Sequence, residues 1–379
     1  MELLIAGDYC PIGRVAPLLE NEEYNTVLGE IKQETGEVDY SIINLECPVV
    51  EHDANPIDKM GPHLRCSAYS LAALKWAGFD CVTLANNHFC DYGEVGVKDT
   101  LAACKKQGID YVGGGLNIEE ASRILYKELS GERLAIINCC EHEFSIATET
   151  RVGSNPLNVI QQYYAIQEAK KNANHVIVIV HGGVELFWLP SARMLETYRF
   201  FVDAGADAVI NHHQHCYSGY EVYKEKPIFY GLGNFCFDGI GSGDRWRSGF
   251  MAKLCLKAES KAVFELIPYL QCGERVGVHI MDENDKVSFF QTVMECNEII
   301  MNAHKREEEY LKWCRENMDM FKSVLNPMYN RLTKHLFDGR FGKKLVGKAK
   351  LLQAKNSLDN ESHIERVRLL IDDKLSNVI

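Results

Sequence analysis

The chain has 379 residues, 46% hydrophobic and 25% charged, with a formal net charge of −12. That composition excludes a disordered, collagenous or coiled-coil chain, leaves room for two or three domains, and disfavours nucleic acid as a partner. No run of about 18 apolar residues is present, so no membrane-spanning helix is expected. With no basic leader ahead of a long apolar stretch, the expected compartment is the cytoplasm.

In chain order, LLIAG (residues 3–7) reads as a short buried strand, followed by a helical stretch over residues 15–35. SIINLE (41–46) is a second strand, 67–77 a helix, CVTLAN (81–86) a strand, and 94–107 a helix with apolar residues at about 3.6 spacing. Two strands around Ser130-Gly131 predict a hairpin that ends in LAIINCC. A helix is expected over 157–171, the clearest buried strand is HVIVIVHGG (175–183), a helix covers 192–204, and AVINHH (208–213) is a further strand. A hairpin over 220–230 and strands over 250–256 and 261–267 complete the pattern. The alternation of apolar runs and helical segments predicts an α/β fold with a sheet covered by helices.

Beyond about residue 290 the pattern changes. Residues 295–324 read as one long helix or two, Pro327 breaks it, and 358–375 form a last amphipathic helix. We expect an α/β domain over 1–290 and a helical, partly basic extension over 291–379. Residues 321–355 hold nine Lys or Arg and one acidic residue, Asp338, while the rest carries 32 basic and 52 acidic residues. Such a run is usually a solvated face; peripheral contact with an anionic membrane or with the acidic body are the other readings. The 14 cysteines are scattered, with no CxxC pair, and predict reduced, buried thiols.

Polar, ligand-type residues stand just after successive strands. Asp8 follows LLIAG, Glu46 follows IINL, and Asn86, Asn87 and His88 follow CVTLA. His181 follows HVIVIV, and His212, His213 and His215 follow AVIN. Ligands of open α/β sheets bind at the carboxyl ends of strands. Alone, each residue has a plainer role: Asp8 as a turn cap, Glu46 as a loop acid, the Asn pair in a turn, His181 as a core histidine. Together, in this order, they point to a metal site. Carboxylate oxygens and imidazole nitrogens suit Mn²⁺, Fe or Zn²⁺, and the set is large enough for one or two divalent ions. Glu46 suits a bridging position, Asn87 an amide ligand, and His88 a group that acts on the leaving group. Asp91 and Asn86 are read as fixing the loop beside His88, Glu185 as a supporting or substrate contact, and Asn234 in GLGNF as orienting a ligand.

The motifs GDYCPIGR, NLECPV, GFDCVTLANNHFCDYG, VHGGVE and GADAVINHHQHCYSGYEVYKEKPIFYGLGNFCFD resemble the CapA-type family of poly-γ-glutamate capsule synthesis. That family in turn resembles calcineurin-like metallophosphoesterases. The likeness covers about residues 1–270. It implies a four-layer α/β sandwich of metallophosphoesterase type, with Asp8, Glu46, Asn87, His181, His213 and His215 holding metal and His88 acting on the substrate. Whether His212 or His213 is the ligand stays open. The resemblance has departures: Asp8-Tyr9-Cys10 stands where the phosphoesterases have Asp-x-His, Gly182 replaces a Trp, and Asn211-His212-His213-Gln214-His215 replaces Gly-His-His-Pro-His.

The expected function is a metal-dependent, phosphoesterase-like hydrolase linked to bacterial capsule or surface-polymer biosynthesis. Its substrate would be phosphorylated or γ-glutamyl, and its partners capsule-synthesis proteins. Two alternatives stand beside it. One is a non-catalytic, metal-binding scaffold of a polymer-synthesis complex; the other is a γ-glutamyl amide hydrolase.

Overall fold

The computed structural model describes residues 1–241, 243–257, 263–317, 352, 355–357 and 359–376. Two sheets form its centre. The first has the strand order Val278–Ile280, Val263–Gln271, Ser248–Cys255, Glu2–Cys10, Tyr40–Leu45, Cys81–Thr83, Asp110–Val112, with Asn234–Phe237 paired to the far end of Glu2–Cys10. The second runs Tyr220–Tyr223, Lys226–Phe229, Ala208–His212, His175–His181, Glu132–Cys140, Leu125–Leu129. In the first sheet the strands from Glu2–Cys10 to Asp110–Val112 run parallel and the other side, from Ser248–Cys255 outward, is joined antiparallel; in the second the inner pairings are parallel and the two outermost antiparallel.

The apolar runs are continuous because both faces of each sheet are buried. Side chains alternate along a strand. Leu3 and Ile5 therefore meet Ile136, Ile177, Ile179 and Ile210 of the second sheet, while Leu4 and Ala6 face the opposite way, into a core with Leu19, Leu71 and Leu74. In His175–His181, Val176, Val178 and Val180 face a third core with Ile166, Tyr198 and Phe201. The layers are thus helix, sheet, sheet, helix: the four-layer α/β sandwich the sequence implied.

Some elements differ from expectation. The helical stretch over 15–35 is three short helices, Val15–Glu20, Tyr24–Leu28 and Ile31–Gly36. The strand expected over 81–86 ends at Thr83, and the chain turns early enough to carry Asn86–His88 across the sheet edge. The helix expected from 295 begins at Glu283, capped by Asp282, and ends at Met301; Ala303–Glu316 follows it. Phe289, Val293, Cys296 and Ile300 supply its buried face, so residue 290 falls within a helix that packs on the body. All but residues 352 and 355 of the basic 321–355 run, the Pro327 break and part of the 295–324 helix lie outside the described residues. All 14 cysteines are free, and Cys255 alone is not buried. Among the described residues no helix is long and apolar enough to cross a membrane.

Candidate metal centre

The ends of both sheets face one another, and the side chains that leave them converge. Asp8 sits at an irregularity in the pairing of Glu2–Cys10 with both of its parallel neighbours. The preceding glycine makes this possible. A Cβ on Gly7 would stand 2.0 Å from the Gly233 carbonyl oxygen, which instead accepts a hydrogen bond from the Asp8 N–H at 3.1 Å. His213 and His215 reach the centre from backbone at φ 90° and 55°, where non-glycine residues are rare and strain of about 1–3 kcal/mol each is stored. His212, between strand and turn, points to Asp8 instead, with Nδ1 3.1 Å from Oδ1.

Two groups of ligand atoms result, each within 4.8 Å: Glu46 with His181 and His213, and Asp8 with Glu46 and His215. Glu46 belongs to both. On the first side, His181 Nε2 lies 3.1 Å from His213 Nδ1, 3.1 Å from the Asn87 amide oxygen and 3.6 Å from Glu46 Oε1. On the second, Glu46 Oε1 is 3.5 Å from His215 Nε2, whose Nδ1 is 3.8 Å from Asp8 Oδ2. Asn44 supports both sides: its Nδ2 donates to Asp8 Oδ1 at 2.8 Å and lies 3.3 Å from His181 Nδ1. Asn234 orients His215 through a 2.9 Å contact to Nδ1 and donates to its backbone carbonyl at 3.2 Å.

The donor set fits a divalent cation, and Glu46 shows why. Its carboxyl group is fully buried, and among the described residues neither oxygen has a hydrogen-bond partner. Burying an unpartnered carboxylate is costly. Burial, then the neighbouring Asp8 and Glu185, push its pKa well above the ordinary range. For Asp8 burial acts in the same direction, but the His212 hydrogen bond and the charge of the nearby histidines overcome it and hold the carboxyl far down. Burial keeps His181 and His213 neutral, the form in which imidazole binds metal. A cation placed against Glu46 would remove the cost of leaving it unpartnered.

His88 lies beside this cluster. His88 Nδ1 lies 2.8 Å from Asp91 Oδ2; with Nδ1–H as the donor of that hydrogen bond, the lone pair is on Nε2. Lys59, almost fully buried, pairs with the other Asp91 oxygen and lies 3.0 Å from His88 Nδ1. Burial lowers the His88 pKa, so the ring is neutral at pH 7. Asp91 also accepts from the Leu64 N–H, and Asn86 holds the loop by donating to the Leu45 carbonyl and accepting from the His88 N–H. A cavity of about 320 Å³ opens over Asn87 and His88, with Lys59, Glu143, exposed Glu185 and His363 among its walls.

Sequence reading missed several of these groups. Glu141 and Glu143 follow the strand Glu132–Cys140, so the strand-end rule that singled out Asp8 would have found them too. Glu143 Oε1 lies 3.8 Å from His213 Nε2, and burial, then Glu185, raises its pKa to about 8. Lys59 and Asn44 carried no such signal.

Compared with known proteins, residues 2–239 match the family model described as "Bacterial capsule synthesis protein PGA_cap". The chain is similar to the "Capsule biosynthesis protein CapA" of Bacillus anthracis, 36% identical over 238 residues, covering 61% of this chain and 57% of that protein. It is also similar to the "PGA biosynthesis protein CapA" of Bacillus subtilis, 35% identical over 234 residues, covering 61% of each. The match therefore spans less than two thirds of either relative. Among solved structures, a 5'-nucleotidase precursor from Thermus thermophilus aligns with a TM-score of 0.43 at 11% identity, covering 79% of this chain and 59% of that one.

Proposed function

This chain belongs to the bacterial capsule synthesis protein family PGA_cap, and from that premise we propose that it is a divalent-metal-dependent hydrolase of phosphoesterase type. Its place is in capsule or surface-polymer biosynthesis. The observation that carries the reading is the pair of ligand groups sharing Glu46, a buried carboxylate with no other partner. Glu46, His181, His213 and Asn87 would hold one ion; Asp8, Glu46 and His215 would hold a second. When bound, such ions supply Lewis-acid polarisation of the substrate and acidify the attacking water. The chain's own residues do the remaining work. Asp91 and Lys59 fix the His88 ring so that its unprotonated Nε2 can take a proton from the attacking water and then hand it to the leaving group. Glu143 and Glu185 border the space where substrate sits.

A second reading has one specific observation behind it. The Asp8 group has three donors, and Cys10, which stands where the phosphoesterases have a histidine, is fully buried, its thiol pushed by burial up to about 11. It is no ligand, and a metal-binding scaffold without turnover would tolerate this. A screen of the Mn²⁺-loaded protein on phosphomonoesters, phosphodiesters and γ-glutamyl amides separates the two. Turnover abolished by His88→Ala supports the hydrolase; full metal occupancy with no turnover on any of the three classes supports the scaffold.

A further inference from the structure

The C-terminal helix Glu361–Ser376 lies more than 100 residues past the family-matched stretch, yet it is fastened to the loop that borders the metal centre. Its N-terminus is held by several hydrogen bonds. Ser362 Oγ donates to Glu141 Oε2 at 2.7 Å, and Arg193 Nη2 reaches both Glu141 Oε1 at 2.6 Å and Ser362 Oγ at 2.9 Å. Ser191 Oγ donates to Glu365 at 2.8 Å, and the His142 N–H donates to Glu361 at 2.8 Å. Glu141 and Ser362 are buried and Arg193 partly so, which makes the Arg193–Glu141 pair with its Ser362 hydrogen bonds geometrically specific. Leu370 anchors the helix in the outer core of the second sheet.

One side chain joins this fastening to the site. Asn360 Oδ1 accepts from the His363 N–H at 2.8 Å, capping the helix, while its Nδ2 donates to Glu143 Oε1 at 3.0 Å. Glu143 is the residue next to His213. The same turn brings Asn356, Ser357 and His363 into the wall of the cavity over His88. A larger cavity, about 610 Å³, shares Glu143 and Asn356 with the first. Ile57, Leu116, Phe144 and Val152 give it apolar patches among charged side chains of both signs, Asp58, Glu94, Lys98 and Arg151 among them.

We propose that Asn356, Ser357, Asn360 and His363 form the substrate-selecting wall of this site. Asn356 and His363 act as positioning residues for an elongated substrate. Its reacting group lies at His88, and its part-apolar body passes Asn356 into the larger cavity. The place of the reacting group rests on the hydrolase reading; the two-chambered shape does not. A small ester fills the first chamber alone. A substrate with an aromatic or apolar body gains contacts that only the C-terminal segment supplies.

The test uses the full chain, with and without Mn²⁺, and two monoesters with the same reacting group: methyl phosphate and 4-methylumbelliferyl phosphate. Affinity is read as Kd by calorimetry where an ester is not cleaved, and as separate KM and kcat where it is. The native chain is expected to bind the longer ester about tenfold more tightly, since burying an extra apolar body contributes at least 1–2 kcal/mol. Asn356 borders both cavities, so Asn356→Ala is expected to weaken the longer ester about fivefold more than it weakens methyl phosphate. His363 borders the first cavity alone, so His363→Gln is expected to weaken both esters alike, with Mn²⁺ stoichiometry kept in each variant. Two outcomes overturn the proposal: a native chain with no preference for the longer ester, or an Asn356→Ala variant that shifts both esters alike or neither. Absence of turnover with the preference intact overturns the hydrolase reading and leaves this one standing. Thermal unfolding of each variant guards against a misfolded sample, and His363→Asn is the fallback where His363→Gln does not fold.

Discussion

On one side of Glu46 stand His181, His213 and the amide oxygen of Asn87; on the other stand Asp8 and His215. The first group is close-set, with two contacts of 3.1 Å to His181 Nε2, and its imidazoles are neutral. The second is looser, at 3.5 and 3.8 Å, and the protein already uses its oxygens. Asp8 Oδ1 accepts a hydrogen bond from Asn44 Nδ2, and Oδ2 accepts one from the His213 backbone N–H at 3.2 Å. One side is therefore short of a cation, while the other has been partly compensated by hydrogen bonds. The missing histidine at Cys10 falls on the compensated side. The difference teaches that donor count and prior satisfaction point the same way: of the two candidate groups, the His181 side is expected to bind the tighter.

The change that would break this comparison most completely is at the shared residue. Glu46→Ala removes a ligand from both groups, and metal content measured by mass spectrometry should fall to near zero. Affinity should drop more than about 100-fold, the upper end of what losing a supporting residue costs. If one ion is retained at full occupancy, Glu46 is not shared.

The paired variants His213→Ala and His215→Ala sharpen it. Calorimetric titration with Mn²⁺ should lose the tighter phase in His213→Ala and only the weaker phase in His215→Ala. The same asymmetry should appear in thermal unfolding. A ligand at about 100 times its Kd stabilises by about 2.7 kcal/mol, several degrees for a chain of this size. That gain should survive in His215→Ala and vanish in His213→Ala. Equal losses in the two variants would show the sides to be equivalent.

Asn44→Ala tests the reverse, a residue that serves both sides. Its amide touches Asp8 and His181 without being a ligand in either group, so both phases should weaken by about 10–100-fold while stoichiometry at saturating metal is kept. A loss confined to one phase would mean that Asn44 supports that side alone.

How much of this was legible in the sequence follows from the physics of each residue. Asp8, Glu46, Asn87 and His181 could be found because parallel strands buried on both faces read as unbroken apolar runs, and a polar residue at the end of such a run stands out. His212 and His213 could not be told apart, since spacing says nothing of a backbone that enters φ 90° at His213 and sends His212 toward Asp8. The sandwich was legible for the same reason as the strand ends. The helix Glu283–Met301 was placed late because its first turn is charged and its apolar face begins only at Phe289. The C-terminal helix was expected as an element, but its fastening was not. Docking through Ser362, Glu361 and Glu365 uses residues that in a sequence look like any solvated helical face.

The smallest effect lies at that fastening, where the comparison reaches the C-terminal segment. Asn360 touches neither ligand group, but through Glu143 it leans on His213 alone. Asn360→Ala should cost about 1 kcal/mol as a lost helix cap, read by denaturant unfolding. It should also weaken the tighter Mn²⁺ phase a few-fold, because Glu143 loses the donor that holds it in place. The weaker phase should not move, since nothing on the Asp8 side touches Glu143. Asn360→Asp separates the two effects. It keeps the cap oxygen, so stability should return, but it sets a carboxylate against Glu143 in place of the amide N–H, so the tighter phase should stay weak. If the aspartate restored both, the cap alone would account for the coupling, and the C-terminal segment would shape the cavity without reaching the ligands.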